Sequence, residues 1–446
     1  MLKSINKLYL LFSIFLYFIL FVKSSEKYIL IYLISVLSFI SYYIILYFNS
    51  KNNEKNFKRI YLSLEIFFYS FLFIFIYNIL SYYYNSNFFV FSEADAIHYH
   101  KNTIELLSMP IGKAIEHYLS YMSFDDLGII LILYPLYHIT ESNLILNLFY
   151  LFGGIISSLS LFRLSKNFMS FKYAFLSSLS YSLSSFVLYY HSIGLKESVM
   201  VMLVVLSFDF YYKFVNNKNI ITLLIALIFI GLLLFFRPAI SAMIIGAIGI
   251  GSLFSRKGGV RVKIISLFII IFLVSIGDTL LDIVNKYMAG GFELLMYARA
   301  ADGMIIGGIP FTYAVNTLAQ LIGPLPTVVS SEKIHLILYA PGLIYRVLLS
   351  FPFWLGVKYI YKSKSYILYP LVIFVLMEMS ALIIIMEGLE LRKSLPHLPF
   401  VFIIAFWFLD KYDNKIIVFK RPKRFQQLFK ISMFILLIII FYWNFK

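Results

Sequence analysis

The chain has 446 residues, of which 61% are hydrophobic, 19% aromatic and 13% charged, with a formal charge of +16. So few charges cannot solvate the surface of a chain this long, which excludes a water-soluble protein and predicts an all-α polytopic integral membrane protein, one transmembrane domain over 1–446. With no cysteine, disulfides, thiolate metal sites and a cysteine nucleophile are excluded.

A helical crossing needs roughly 20 apolar residues. Runs near 8–22, 28–48, 60–83, 143–162, 173–190, 197–213, 219–235, 239–254, 263–278, 341–360, 366–386, 396–409 and 431–444 predict about thirteen crossings, within a range of 12–14. The run at 8–22 has the length of a signal-peptide core, but no small-residue cleavage site follows and further spans do, so a helix is expected. The run at 128–139 is shorter. As a full crossing it would place Arg163, Lys166 and Lys172 outside and invert every later loop, whereas a re-entrant or interfacial helix leaves the basic loops on one side.

Those loops, at 51–59, 163–172, 213–218, 256–263, 358–364 and 411–430, are then cytoplasmic together with the N-terminus. Cytoplasmic retention accounts for the positive charge, so nucleic acid is not an expected partner. Abundant Ile, Lys, Asn, Phe and Tyr fit an AT-rich bacterial genome, hence the bacterial inner membrane, and most acidic groups fall on the periplasmic side. Two outer segments, 84–127 and 278–340, are too long for simple turns. In the first, Ile104, Leu106, Leu107, Ile111, Ala114, Ile115, Tyr118 and Leu119 recur at helical spacing, predicting interfacial helices interrupted at Pro110. The second carries Gly303, Gly307, Gly308 and Pro310 without phosphate-loop spacing, so it is not a nucleotide site.

The densest chemistry is the stretch Ser92-Glu93-Ala94-Asp95-Ala96-Ile97-His98-Tyr99-His100-Lys101. Two carboxylates, two imidazoles and an amine suit proton transfer, with Asp95 or Glu93 as base and His98 or His100 assisting. Carboxylate and imidazole can also ligate a divalent metal, but no recognised metal motif is present, and no cofactor is expected. Lys196 and Glu197 open an apolar run, where charges are expensive to bury without partners. Arg237, beside Pro238, stands alone between apolar runs and suits a bidentate grip on phosphate. The segment from Glu387 to Pro399 adds Glu390, Arg392 and His397, of which Arg392 and His397 are anion-binding candidates. Arg299 and Asp278 are further candidates in the second long loop. Glu378, inside an apolar run, is expected to be a buried, hydrogen-bonded carboxylate. Convergence of these clusters on one membrane face implies a cavity opening outward.

An acidic residue in the first long outer loop (Asp95 or Glu93), the succession Leu133-Tyr134-Pro135-Leu136-Tyr137-His138 with Glu141-Ser142-Asn143, and the late element Glu390-Leu391-Arg392 to Pro396-His397-Leu398-Pro399 resemble polytopic glycosyltransferases of the GT-C type. Size, helix number and paired outer loops also resemble bacterial O-antigen and capsule repeat-unit polymerases of the Wzy type. The resemblance implies a GT-C-like fold and an enzyme that takes an undecaprenyl-(di)phosphate-linked glycan in membrane lipid. Arg237, Lys196, Arg392 and Arg299 would bind the phosphate, supported by Glu197, His397 and Glu390. A polymerase would also meet a chain-length regulator or other glycan assembly proteins. The rivals are a GT-C transferase of single sugars from a polyprenyl-phosphate donor, and a flippase of lipid-linked glycan. A flippase would set its ionisable groups near mid-membrane, often in repeated halves, and here they crowd one boundary.

Overall fold

The computed structural model describes residues 1–23, 29–51, 59–85, 94–121, 124–139, 143–192, 194–254, 264, 267, 292–301, 305, 307–326, 336–419 and 422–445, and among them there is no strand. Glu93, Asp278 and, apart from 264 and 267, the run expected at 263–278 lie outside these residues. The helices, in order, begin with α1 Leu2–Lys23, α2 Ile29–Lys51 and α3 Arg59–Asn85. Next come α4 Ala94–Leu106, α5 Ile111–Tyr121, α6 Leu127–Tyr137 and α7 Asn143–Ser165. They continue with α8 Phe171–Ser182, α9 Ser185–Ser192, α10 Glu197–Asn217, α11 Ile220–Leu233 and α12 Pro238–Phe254. The last are α13 Phe292–Ala301, α14 Ile309–Ile322, α15 Leu336–Lys362, α16 Tyr369–Ile384, α17 Leu398–Asp413 and α18 Pro422–Phe445.

Seven helices among the described residues are long and apolar enough to cross a membrane: α2, α3, α7, α10, α15, α16 with the turn before it, and α18. The chain is a multi-pass membrane protein. In contrast, α6 has 11 residues, which at the α-helical rise is about 16 Å and spans about half of a hydrocarbon core. The run expected at 173–190 is two helices, α8 and α9, interrupted at Leu183 and Ser184. Serines 182, 184 and 185 offer the backbone alternative partners there. One of them is used across the interface, where the Gly342 N–H of α15 donates to Ser185 Oγ at 2.9 Å.

Burial grades from centre to rim. The most apolar stretch of α15 is 89% buried, against 28% for α18, so α15 is central and α18 presents most of its surface outward. Around α15 pack α17, α9 and α2. α15 meets α17 closely enough that a Cβ at Gly356 would lie 2.8 Å from the Ile404 carbonyl oxygen. Tyr9, Tyr42 and Tyr345 tie α1 and α2 to α15 by edge-to-face ring contacts at 5.4–5.9 Å between centroids.

Three local devices bring distant residues to one end of this bundle. α10 stops at Lys218, whose φ of 56° turns the chain, and Asn219 Oδ1 then accepts from Ile221 N at 2.9 Å to start α11. The turn after α11 leads to Pro238, which suits the first position of α12 because it has no N–H to leave unpaired. α10 and α12 therefore begin at the same end. Finally, Gly128 N–H donates to the Phe235 carbonyl at 2.8 Å, and a Cβ at Gly128 would lie 2.6 Å from the Phe236 ring. The absence of a side chain lets α6 dock against the turn that carries Arg237.

Candidate active site

At that end lies a cavity of about 300 Å³, lined by residues of α4 and α5, the 3-10 turn Phe124–Asp126, the starts of α10 and α12, and the 3-10 turn Leu391–Ser394. Asp95, His98, Lys196, Glu197, Arg237 and Arg392 all line it. These candidates are spread over most of the sequence, and the fold gathers them.

Within the wall the charges are paired unequally. Arg392 Nη1 donates to Asp95 Oδ2, and its Nε lies 3.7 Å from Glu390 Oε2. Burial by itself would lower the pKa of the Arg392 guanidinium, but Glu197, Asp95 and Glu390 more than offset this and hold it above its ordinary value. Lys196 donates to Asp126 Oδ1, the same oxygen that accepts from Tyr99 OH at 2.9 Å. Burial, then Asp126, Glu197 and Asp95, push the Tyr99 hydroxyl pKa upward, so Tyr99 is a standing donor. Lys393 binds Glu387 at 2.6 Å and Glu390 at 3.2 Å. Arg237 has no carboxylate within 4.0 Å among the described residues. Glu197, 2% exposed, likewise has no ion-pair partner within that distance there, and its Oε2 lacks a hydrogen bond.

Other candidates fall outside the cavity. Arg299, expected on the phosphate, lies instead against the loop before the Arg392 turn, paired with Glu387 and donating from Nε to the Ile385 carbonyl at 3.1 Å. A guanidinium so engaged braces that loop. His100 faces Tyr137 OH at 2.8 Å, because it is on a different side of α4 from His98. Glu390 is occupied by Lys393. His397 is 2% exposed, with Nδ1 3.5 Å from Glu378 Oε2. Glu378 is buried as expected, but that oxygen has no hydrogen bond, since the imidazole facing it is too distant.

Asp126, Tyr99, Asn102, Tyr118 and Lys393 also line the cavity and were not anticipated. The acidic pair Asp125-Asp126 ahead of an apolar run was the available signal for the first. Among the described residues no three His, Asp or Glu side chains gather as a metal-ligand set. No protein-family model, curated protein or solved structure matches the chain.

Proposed function

We propose that the chain is a membrane-embedded glycan assembly enzyme that joins repeat units carried on undecaprenyl diphosphate, at the periplasmic face of a bacterial inner membrane. The supporting observation is the cavity itself, where Arg237, without a carboxylate partner among the described residues, shares a wall with carboxylates, Lys196 and Arg392 at the end of an apolar bundle. A lipid-linked diphosphate needs cations at headgroup depth beside an apolar surface, and its transfer needs a carboxylate to accept a proton.

In this reading Arg237 grips the diphosphate through its planar fork of donors. Arg392 and Lys196 add two further cations to the same wall, and together the three cations stabilise the departing anion. A cavity carboxylate takes the acceptor's hydroxyl proton. His98, exposed at the rim, can pass that proton to water.

The test is deletion of the gene, followed by gel separation of surface glycan with and without complementation. Glycan carrying one repeat unit in place of a ladder is the expected result. A shortened repeat points to a single-sugar transferase, and complete lipid-linked units held on the inner leaflet point to a flippase; either outcome removes the polymerase reading.

A further inference from the structure

Among the described residues three carboxylates line the cavity, and they are not equivalent. Asp95 is held by Arg392, and Asp126 is held by both Lys196 and Tyr99. A carboxylate oxygen that already accepts a hydrogen bond has fewer lone pairs left to meet an incoming proton. Glu197 differs in both respects: it is 2% exposed, and among the described residues nothing donates to its Oε2.

Enclosing a carboxylate oxygen without a donor is costly, and such groups in folded proteins call for a reason. The surroundings of Glu197 are electropositive without consuming the lone pairs of that oxygen. Glu197 opens α10, where the partial positive end of the helix favours an anion. The Arg392 guanidinium acts on it through space while bonding to Asp95. Glu197 thus lines the cavity that also holds Arg237 and keeps an enclosed oxygen to which, among the described residues, nothing donates.

We propose that Glu197, rather than Asp95, accepts the proton of the acceptor hydroxyl, and that Asp95 is a positioning residue that fixes Arg392. The acceptor O–H bond breaks and its proton passes to the Glu197 carboxylate. The freed oxygen bonds to the donor's anomeric carbon. The bond from that carbon to the phosphate oxygen breaks, and its electron pair leaves on the polyprenyl diphosphate held by Arg237. This assignment rests on the transferase reading above.

The experiment uses the full-length purified protein and lipid-linked oligosaccharide extracted from cells lacking it. With wild-type protein forming new glycosidic bonds, Glu197→Gln is expected to lower kcat by about 100-fold or more. Its KM stays within about threefold of wild type, because donor contacts are intact. Formate, a small carboxylate base, restores turnover to Glu197→Ala, which also demonstrates that the variant is folded. Asp95→Asn mainly raises KM and does not respond to formate. Retention of more than about a tenth of kcat in Glu197→Gln, or formate rescue of Asp95→Ala in place of Glu197→Ala, overturns the assignment while leaving the transferase reading standing. Failure of wild-type protein to form any bond overturns the transferase reading and this assignment with it.

Discussion

Arg392 and Asp95, 297 positions apart in the chain, are ion-paired on the wall of the cavity. Their side chains are 26% and 44% exposed, so the pair contributes about 1 kcal/mol or less to stability. Its importance is then in orientation. Asp95→Asn is expected to leave abundance and melting temperature near wild type while weakening donor binding. Thermal unfolding together with a titration of lipid-linked donor checks this; unfolding of the variant, or unchanged donor affinity, counts against it.

The Lys196 and Asp126 pair is more enclosed, at 8% and 27% exposure. Lys196→Met removes one of two donors to Asp126 and is expected to cost roughly 1–3 kcal/mol. Adding Asp126→Asn removes the stranded charge, so the double variant is expected to lose less than the sum of the singles. A double-mutant cycle on detergent-solubilised protein measures this; strict additivity would show that the two side chains are not coupled.

Two glycines offer a paired test of packing. A Cβ at Gly128 meets the Phe236 ring at 2.6 Å, whereas at Gly112 nothing lies within 4 Å. Gly128→Ala is expected to cost about 1–3 kcal/mol and, by displacing the turn that carries Arg237, to lower activity. Gly112→Ala, in α5, is expected to be neutral or to stabilise by up to about 1 kcal/mol. Equal melting temperatures for the two variants would contradict the packing derived for α6.

Apolar run length made the helical class legible, and Pro110, Pro238 and Pro399 stand immediately before or at the start of helices. Six of the candidate side chains meet at one cavity because each stands next to the start of a helix or in the late loop. Sequence did not reveal the pairing. Asp126 is matched with Lys196 across 70 positions, and periodicity carries no information about such a contact. The same limit applies to Arg299, whose engagement with Glu387 depends on α13 lying beside the loop after α16. The break between α8 and α9 was hidden because apolar composition continues through Leu183 while the hydrogen-bond pattern changes at the flanking serines.

The chain contains no cysteine, so a single introduced one reports topology without background. Position 363 lies after α15 beside Lys362 and Lys364, and position 101 lies on α4 near the cavity; both are exposed. If the cavity faces the periplasm, as proposed, Lys101→Cys is expected to react with a membrane-impermeant maleimide in cells with a permeabilised outer layer. Ser363→Cys is expected to react only after lysis. The opposite pattern would invert the orientation inferred from the basic loops.

The most direct measurement reconstitutes the purified protein in vesicles with undecaprenyl-diphosphate-linked repeat units and follows both the glycan and the lipid by mass spectrometry. A glycan assembly enzyme yields one free polyprenyl diphosphate for each new glycosidic bond, and Arg237→Ala abolishes both products together. Movement of intact lipid-linked units between leaflets, with neither a new bond nor released diphosphate, would contradict the proposed function.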